Sequence, residues 1–436
     1  MKIAWFTPFS PESAIGRLSR EIVEELAPHA DVTLWVDAES TGLLDTTVPV
    51  VHYTRWNFPG ERLAPDTVCV YHLGNSAANH ETIMGIARLM PGVVVLHDST
   101  QHHAYVDLAR HRLTEYFRMV ERWHGPRVAE HLTASVKASP TGYPPAEDCD
   151  RYPLLGEAVR GALGVVVHCQ AQIDRLEGEW GGPVWRLWLP STDVRLPPSP
   201  PRAITPGDRL RLLSLGWVGE PKQIHTVIEV LGSDPALARR VTYRVAGPID
   251  LRSTYGERLV SLVAEHHLEH TVEFTGWVDH DALHAALDWA DVHVNLRFPC
   301  TEGGSLSLLQ QLATARAVLA GRRGIFGEIP EDAAIRPVDF TPEAVADALR
   351  GILSAPESLA GIGRRGRAWA EGQTVERYAR DILDVVGQVN DWRVMSVAID
   401  RLGTALGELG ARPDLPVCDE ALAQLERFAG PRAGTG

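Results

Sequence analysis

Residues 290–320 read ADVHVNLRFPCTEGGSLSLLQQLATARAVLA, and this stretch decides the fold. An apolar strand ends near Leu296, and a loop of Pro, Cys, Thr, Glu and two glycines follows. A helix then begins near Ser305, and Ala317-Val318-Leu319 reads as the next strand. Strand, glycine loop, helix and strand in that order describe a parallel crossover unit. Glycines ahead of a helix let backbone N–H groups approach an anion, and the helix dipole favours negative charge there. An ordinary loop capped by Ser305 accounts for the same residues, so spacing alone leaves both readings open.

The same rhythm runs outward in both directions. Upstream, strand-like runs occur at Ile3–Thr7, Asp31–Val36, Val48–Tyr53, Val68–Leu73, Val93–His97, Val165–His168 and Val184–Leu189. The run Val93–Leu96 is apolar on both faces, as a parallel strand buried under helices must be. Residues 196–208 (LPPSPPRAITPGD) are proline-rich and read as a stiff linker. Strands then restart at Leu210–Trp217, Val241–Ala246, Val272–Thr275 and Val292–Leu296. Helices are expected at Gln223–Leu231, Tyr255–His266, Asp281–Ala290, Ser305–Ala315, Pro342–Ser354, Pro356–Glu371 and Val375–Val389. Beyond them, 392–409 reads as helical, 411–416 as a turn, 420–428 as a short helix and 430–436 as a frayed tail. The expected fold is α/β, with two doubly wound domains facing a cleft and a helical extension at the C-terminus. The expected divisions are 1–195, the linker 196–208, 209–372, a helix 373–390 crossing back to the first domain, and 391–436.

Composition narrows the classes. The chain has 436 residues, 44% hydrophobic and 22% charged, which excludes wholesale disorder and collagen. Its net charge of −14 argues against a general nucleic-acid binder. Its lysines are Lys2, Lys137 and Lys222, so nearly all positive charge is arginine. Five widely spaced cysteines read as reduced thiols of a cytoplasmic protein. No apolar run is long enough for a signal peptide or a membrane span.

Several further motifs accompany the opening stretch. Residues 213–222 read LSLGWVGEPK, placing Gly216, Trp217 and Lys222 after a strand. Residues 241–248 (VTYRVAGP) carry Gly247; residues 272–279 read VEFTGWVD and 324–330 read GIFGEIP. These resemble the signature elements of the retaining glycosyltransferases of the GT-B fold, the group 1 or family 4-like enzymes. The resemblance covers about residues 1–390.

It implies a donor site. Glu302 falls on the family's first signature Glu, which contacts donor-sugar hydroxyls. Gln310 falls on the second, which binds the nucleotide ribose; Gln keeps an acceptor and loses the charge. Lys222 matches the lysine that holds the diphosphate. The family's arginine there is Trp217 in this chain, and Arg297 is the candidate to supply its charge. Gly216, Gly247, Gly303, Gly304, Ser305, Leu306 and, in the first domain, Gly16 complete the candidate donor and nucleotide contacts. Glu328 falls on the acid of the later glycine-rich turn.

On the opposite side, His97 and Asp98 end a buried strand at its carboxyl end, where such folds bind ligands. The resemblance makes His97 a donor-sugar contact, with Asp98 orienting it or approaching the acceptor. His72, Asn75 and His80 are acceptor-side candidates, though structural hydrogen bonds explain His72 and His80 equally well. Residues 55–65, 100–125 and 139–152, rich in aromatics and arginine, read as acceptor loops.

No metal site is expected. His97, His102, His103 and His111 fit no familiar ligand spacing, and Asp148-Cys149-Asp150 lies in a proline-rich stretch. The expected activity needs no cofactor. It transfers a sugar from a UDP-, GDP- or dTDP-sugar to a glycan, lipid-linked or small-molecule hydroxyl, with retention. Peripheral contact with the inner membrane face stays open. The alternatives are a non-catalytic nucleotide-sugar binder or degenerate partner, favoured by Trp217 and Gln310, and a GT-B epimerase or phosphorylase.

Overall fold

A computed structural model describes residues 1–195, 197–205 and 207–408, with the backbone alone for 392–408. The first sheet comprises β1 (Lys2–Phe6), β2 (Asp31–Asp37), β3 (Val50–Tyr53), β4 (Thr67–Leu73), β5 (Val93–Leu96), β6 (Gly164–Val167) and β7 (Val184–Arg186). Its strands run parallel in the order β3-β2-β1-β4-β5-β6-β7. The order reverses beside β1, and that switch point opens a crevice at the strand carboxyl ends. β5 is buried along its whole length, so the apolar run Val93–Leu96 is explained by helices on both faces.

The second sheet holds β8 (Leu210–Leu215), β9 (Val241–Ala246), β10 (Val272–Gly276), β11 (Val292–Asn295) and β12 (Ala317–Ala320), parallel in the order β10-β9-β8-β11-β12. The molecule is therefore two Rossmann-like α/β domains.

Two features differ from the sequence reading. Much of the stretch read as acceptor loops is helical: His102–Leu108, Leu113–His124 and Ala146–Arg151, with a further helix, Pro126–Ala138, between them. The reason is legible in retrospect. Tyr116 and Val120 are four apart and fully buried, Ala129 and Val136 share the core side of the next helix, and Pro126 stands at its first turn after Gly125 at φ 81°. The chain after residue 375 is also one continuous helix, Val375–Glu408, rather than two. Neither Asn390 nor Asp391 breaks it, since helix interiors tolerate single such residues at modest cost. The expected turn, short helix and tail beyond residue 408 lie outside the described residues.

The two domains share a core. Cys169, Leu187 and Leu189 from the first pack in one cluster with Cys300, Leu308, Leu309, Ile325 and Phe326 from the second. The helix Val375–Glu408 joins that cluster and packs on the first helix, Ala14–Leu26. Tyr378, Ile382, Val385, Val386 and Val389 recur at three- and four-residue spacing and are all buried. Each such side chain contributes roughly 1.5–3 kcal/mol of transfer free energy.

Candidate active site in the interdomain cleft

The carboxyl ends of β5 and β11 meet across the cleft. Thr301, Glu302 and Gly303, in the loop after β11, run antiparallel to His97, Asp98 and Ser99 after β5. Ser99 N–H donates to the Thr301 carbonyl at 2.7 Å, and Gly303 N–H donates to the His97 carbonyl at 3.0 Å. Glu302 and Asp98 thus stand opposite each other.

Gln172 locks this contact from beneath. Its Nε2 donates to the carbonyls of Leu96 at 3.0 Å and Asp98 at 3.3 Å, and its Oε1 accepts from His168 N–H at 2.7 Å. A Cβ on Gly303 would overlap the Gln172 amide, and one on Gly304 would crowd Leu189 and His168. The two glycines therefore admit the first domain's side chains. The Gly303 N–H, expected to face an anion, is taken by His97. Ser305 is buried and its Oγ accepts from Leu308 N–H at 3.4 Å, which caps the helix Leu306–Ala313. The N–H groups of Ser305 and Leu306 carry no hydrogen bond among the described residues.

The second domain supplies a charged group. Phe298 N–H donates to the Pro221 carbonyl at 2.8 Å, and Gln223 Nε2 donates to the Phe298 carbonyl at 3.0 Å. These bonds tie the loop after β11 to the turn Glu220–Lys222 after β8. Arg297 is brought near Lys222 and forms an ion pair with Glu302 Oε1. Lys222 is only 6% exposed, and its ammonium donates to the Leu215 carbonyl. Burial pushes its pKa down to about 7; the Arg297 charge adds to this and the Glu302 carboxylate opposes it. Arg297 Nε and Glu302 Oε2 are both buried without a partner. A charged pair with one orphan donor and one orphan acceptor is prepared for a polar ligand.

Gly216 and Gly247 make the floor. Gly216 has φ 93° and Gly247 φ 147°, and a Cβ on Gly247 would overlap the Gly216 carbonyl. Lys222 Nζ lies 3.2 Å from where a Gly216 Cβ would stand, so the turn is closed over by the lysine. Trp217, at the position of the family's arginine, is 72% exposed.

The first domain contributes imidazoles and a carboxyl. His97 is 9% exposed and its Nε2 lies 2.9 Å from His72 Nδ1. Burial, and then the neighbouring His168, hold both His72 and His97 well below the usual 6.5. His80 Nδ1–H donates to the His72 carbonyl at 3.1 Å; burial lowers its pKa to about 4 against that bond. Asp98 Oδ2 accepts from Asn75 N–H at 2.7 Å, and Asn75 Oδ1 accepts from Ala104 N–H at 3.1 Å. Burial raises Asp98 to about 6; the Asn75 N–H opposes this, Glu302 adds to it and Arg297 opposes it.

His97, Asp98, Asn75, Glu302, Arg297 and Lys222 are thus brought together, with His72 and His80 behind them. Gly16 is at the start of the first helix, its N–H donating to Ser13 Oγ at 3.0 Å and its α-carbon pressed against the Pro8 carbonyl. Helix capping and close packing account for it. Gln310 is half-buried on the helix Leu306–Ala313, with no side-chain hydrogen bond among the described residues. Its neighbour Gln311 is buried, accepting from Asn295 Nδ2 at 2.8 Å. Glu328 leaves the site altogether: Oε1 accepts from Gln170 N–H and Oε2 pairs with Arg186 at 3.4 Å, both in the first domain. His168 and Gln172 went unread in the sequence. The rule that selected His97, a polar residue just past a buried strand, would have found His168 after β6. Among the described residues, no three His, Cys, Asp or Glu side chains are placed to share a metal ion. No described helix is long and apolar enough to cross a membrane.

Residues 200–369 match the family model of the glycosyl transferases group 1. The match spans the second domain. No curated protein sequence matches the chain. Among solved structures, sucrose-phosphate synthase from Thermosynechococcus elongatus is similar at TM-score 0.61 and 16% identity, over 89% of this chain and 99% of that one. HepE from Anabaena, in complex with UDP and glucose, aligns at TM-score 0.58 and 14% identity, over 89% and 99%. WaaG, a glycosyltransferase involved in lipopolysaccharide biosynthesis, aligns at TM-score 0.56 and 14% identity, over 88% and 99%. At these identities the structures show the fold, which is GT-B. The family match adds that the second domain is similar to the group 1 glycosyl transferases.

Proposed function

We propose that this protein is a glycosyltransferase that moves a hexose from a nucleotide diphosphate sugar to a hydroxyl with retention of configuration, its domains divided at 196–208. The observation that carries the reading is the Lys222–Arg297–Glu302 group with its orphan Arg297 Nε and Glu302 Oε2, facing His97 and Asp98. Retention follows from the family resemblance rather than from this geometry.

Each residue has a role in that reaction. As the bond between sugar and diphosphate breaks, negative charge grows on the leaving oxygens. Lys222, Arg297 and the Ser305 and Leu306 amides stabilise that charge, and a buried setting strengthens them. Arg297 does what Trp217 cannot. Glu302 Oε2 accepts from a donor-sugar hydroxyl, Gln310 meets the ribose, and Gly216 and Gly247 let the nucleotide approach the backbone. His97 contacts the sugar from the other domain. The acceptor attacks from the face the diphosphate leaves, and the diphosphate takes its proton. Asp98, with its raised pKa, lies where the acceptor hydroxyl arrives. HepE is seen with UDP and glucose, which supports a UDP-sugar among the UDP-, GDP- and dTDP-sugar candidates. The acceptor is a glycan, lipid-linked or small-molecule hydroxyl, of the kind found in cell-envelope or natural-product glycosylation.

Trp217 favours a second reading, a non-catalytic nucleotide-sugar binder, because it removes a diphosphate contact. Incubation with labelled UDP-, GDP- and dTDP-sugars separates the two. The enzyme hydrolyses or transfers one of them, and Glu302→Gln lowers that turnover by more than roughly tenfold, the scale of losing one transition-state contact. Tight binding without turnover, unaffected by His97→Ala, favours the binder.

A further inference from the structure

Five rings form a row across the carboxyl end of the first sheet and onto the long helix. Ring centroids lie 4.3 Å apart for Trp5 and His72, 5.2 Å for His72 and His97, 5.0 Å for His97 and His168, and 6.2 Å for His168 and Tyr378. The row is buried, and four of its polar atoms have no protein partner: Trp5 Nε1, His72 Nε2, His168 Nε2 and the Tyr378 hydroxyl. Buried polar atoms left so are costly, and clusters of them are ordinarily met by an internal water with two to four partners.

The donors and acceptors of this row can be assigned. His168 Nδ1 lies 2.9 Å from the Leu187 carbonyl, which only accepts, so His168 carries its hydrogen on Nδ1 and Nε2 is a lone pair. Beside it stands a hydroxyl that can donate. Trp5 Nε1–H donates and never accepts, and its nearest ring is His72. Trp5 Nε1 and His72 Nε2 do not bond each other directly; a water between them that accepts from the indole has only hydrogens left to offer, and so calls for a lone pair on His72 Nε2. A neutral His72 then carries its hydrogen on Nδ1, where it donates to His97 Nε2 across 2.9 Å. Burial keeps both rings neutral, so His97 must carry its own hydrogen on Nδ1.

We propose that His72 is a positioning residue: with a buried water between Trp5 and His72, it holds His97 in the tautomer whose Nδ1–H is the donor offered to the sugar. The proposal rests on the reading of His97 as a donor-sugar contact.

The test is nitrogen NMR of the full chain with ring-labelled histidine, His97 being assigned by loss of its signal in His97→Asn. Wild-type His97 should be protonated at Nδ1. His72→Phe should turn it into a mixture of tautomers and lower kcat on a nucleotide sugar by about tenfold, with KM changed far less. His72→Asn, whose amide nitrogen stands near the lost Nδ1, should restore both. Should His72→Phe not fold, Trp5→Phe removes only the indole N–H and should shift the tautomer ratio toward Nε2–H. A wild-type His97 protonated at Nε2, or a tautomer unchanged in these variants, overturns the proposal. If no nucleotide sugar is turned over by the wild type, the functional reading fails, while the tautomer measurement still decides this one.

Discussion

If Lys222 holds the donor diphosphate as proposed, it carries the pH dependence of donor binding. Its pKa near 7 means that above neutrality it is largely uncharged in the free protein. A bound diphosphate stabilises the charged form and raises that pKa, so binding takes up a proton there. Affinity for UDP or GDP should fall as pH rises from 7 toward 9, by up to roughly tenfold per unit, and level off below 7. Calorimetric titration across that range reads the slope, and Lys222→Met should flatten it; a slope unchanged in that variant contradicts the assignment. The stability effect has the opposite sign. Between about 7 and its ordinary 10.5 the unfolded chain holds the proton that the folded chain releases, so this lysine's contribution favours folding as pH rises.

At the scale of the element, the loop from Arg297 to Leu306 does two jobs. Arg297 and Glu302 form the ion pair that the proposed function turns toward the donor, whereas Gly303 and Gly304 admit Gln172 and Leu189 from the other domain. Gly303→Ala drives a methyl group into the Gln172 amide and should cost about 1–3 kcal/mol, read as a lower melting temperature. Gln172→Ala in the same chain should recover part of the loss. An unchanged melting temperature for Gly303→Ala contradicts the packing role. The strands and this loop were legible because buried parallel strands and glycine-to-helix turns write themselves into local sequence. The partners were not. Nothing near Gly303 announces Gln172, which is 131 positions earlier, and Gly16 reads the same whether it meets a phosphate or the Pro8 carbonyl. The helices within 100–125 and 139–152 read as loops because their aromatic and arginine content outweighs, to the eye, the four-residue spacing of Tyr116 and Val120.

For the whole molecule, the shared core decides how the domains behave. The sequence reading sets two domains across a cleft on a stiff linker, and the structure shows them joined by backbone bonds at residues 97–99 and 301–303. One cluster runs through both domains and the helix Val375–Glu408. Interfaces so apolar couple the units they join. Calorimetry should therefore show a single unfolding transition, and Ile382→Ala, which empties a fully buried site on that helix, should lower it as a whole, at a cost of about 2–5 kcal/mol. Two separated transitions, with only one moved by Ile382→Ala, contradict this.

The acidic balance of the chain gives the cleft cations their weight, since the proposed function has Lys222 and Arg297 hold a diphosphate within a net charge of −14. A crystal structure with UDP and one with GDP test that most directly. The account predicts a diphosphate within hydrogen-bond reach of Lys222 Nζ and the Arg297 guanidinium, with Arg297 Nε no longer orphaned. A diphosphate bound elsewhere, or one that leaves the Arg297–Glu302 pair undisturbed and touches neither cation, contradicts it.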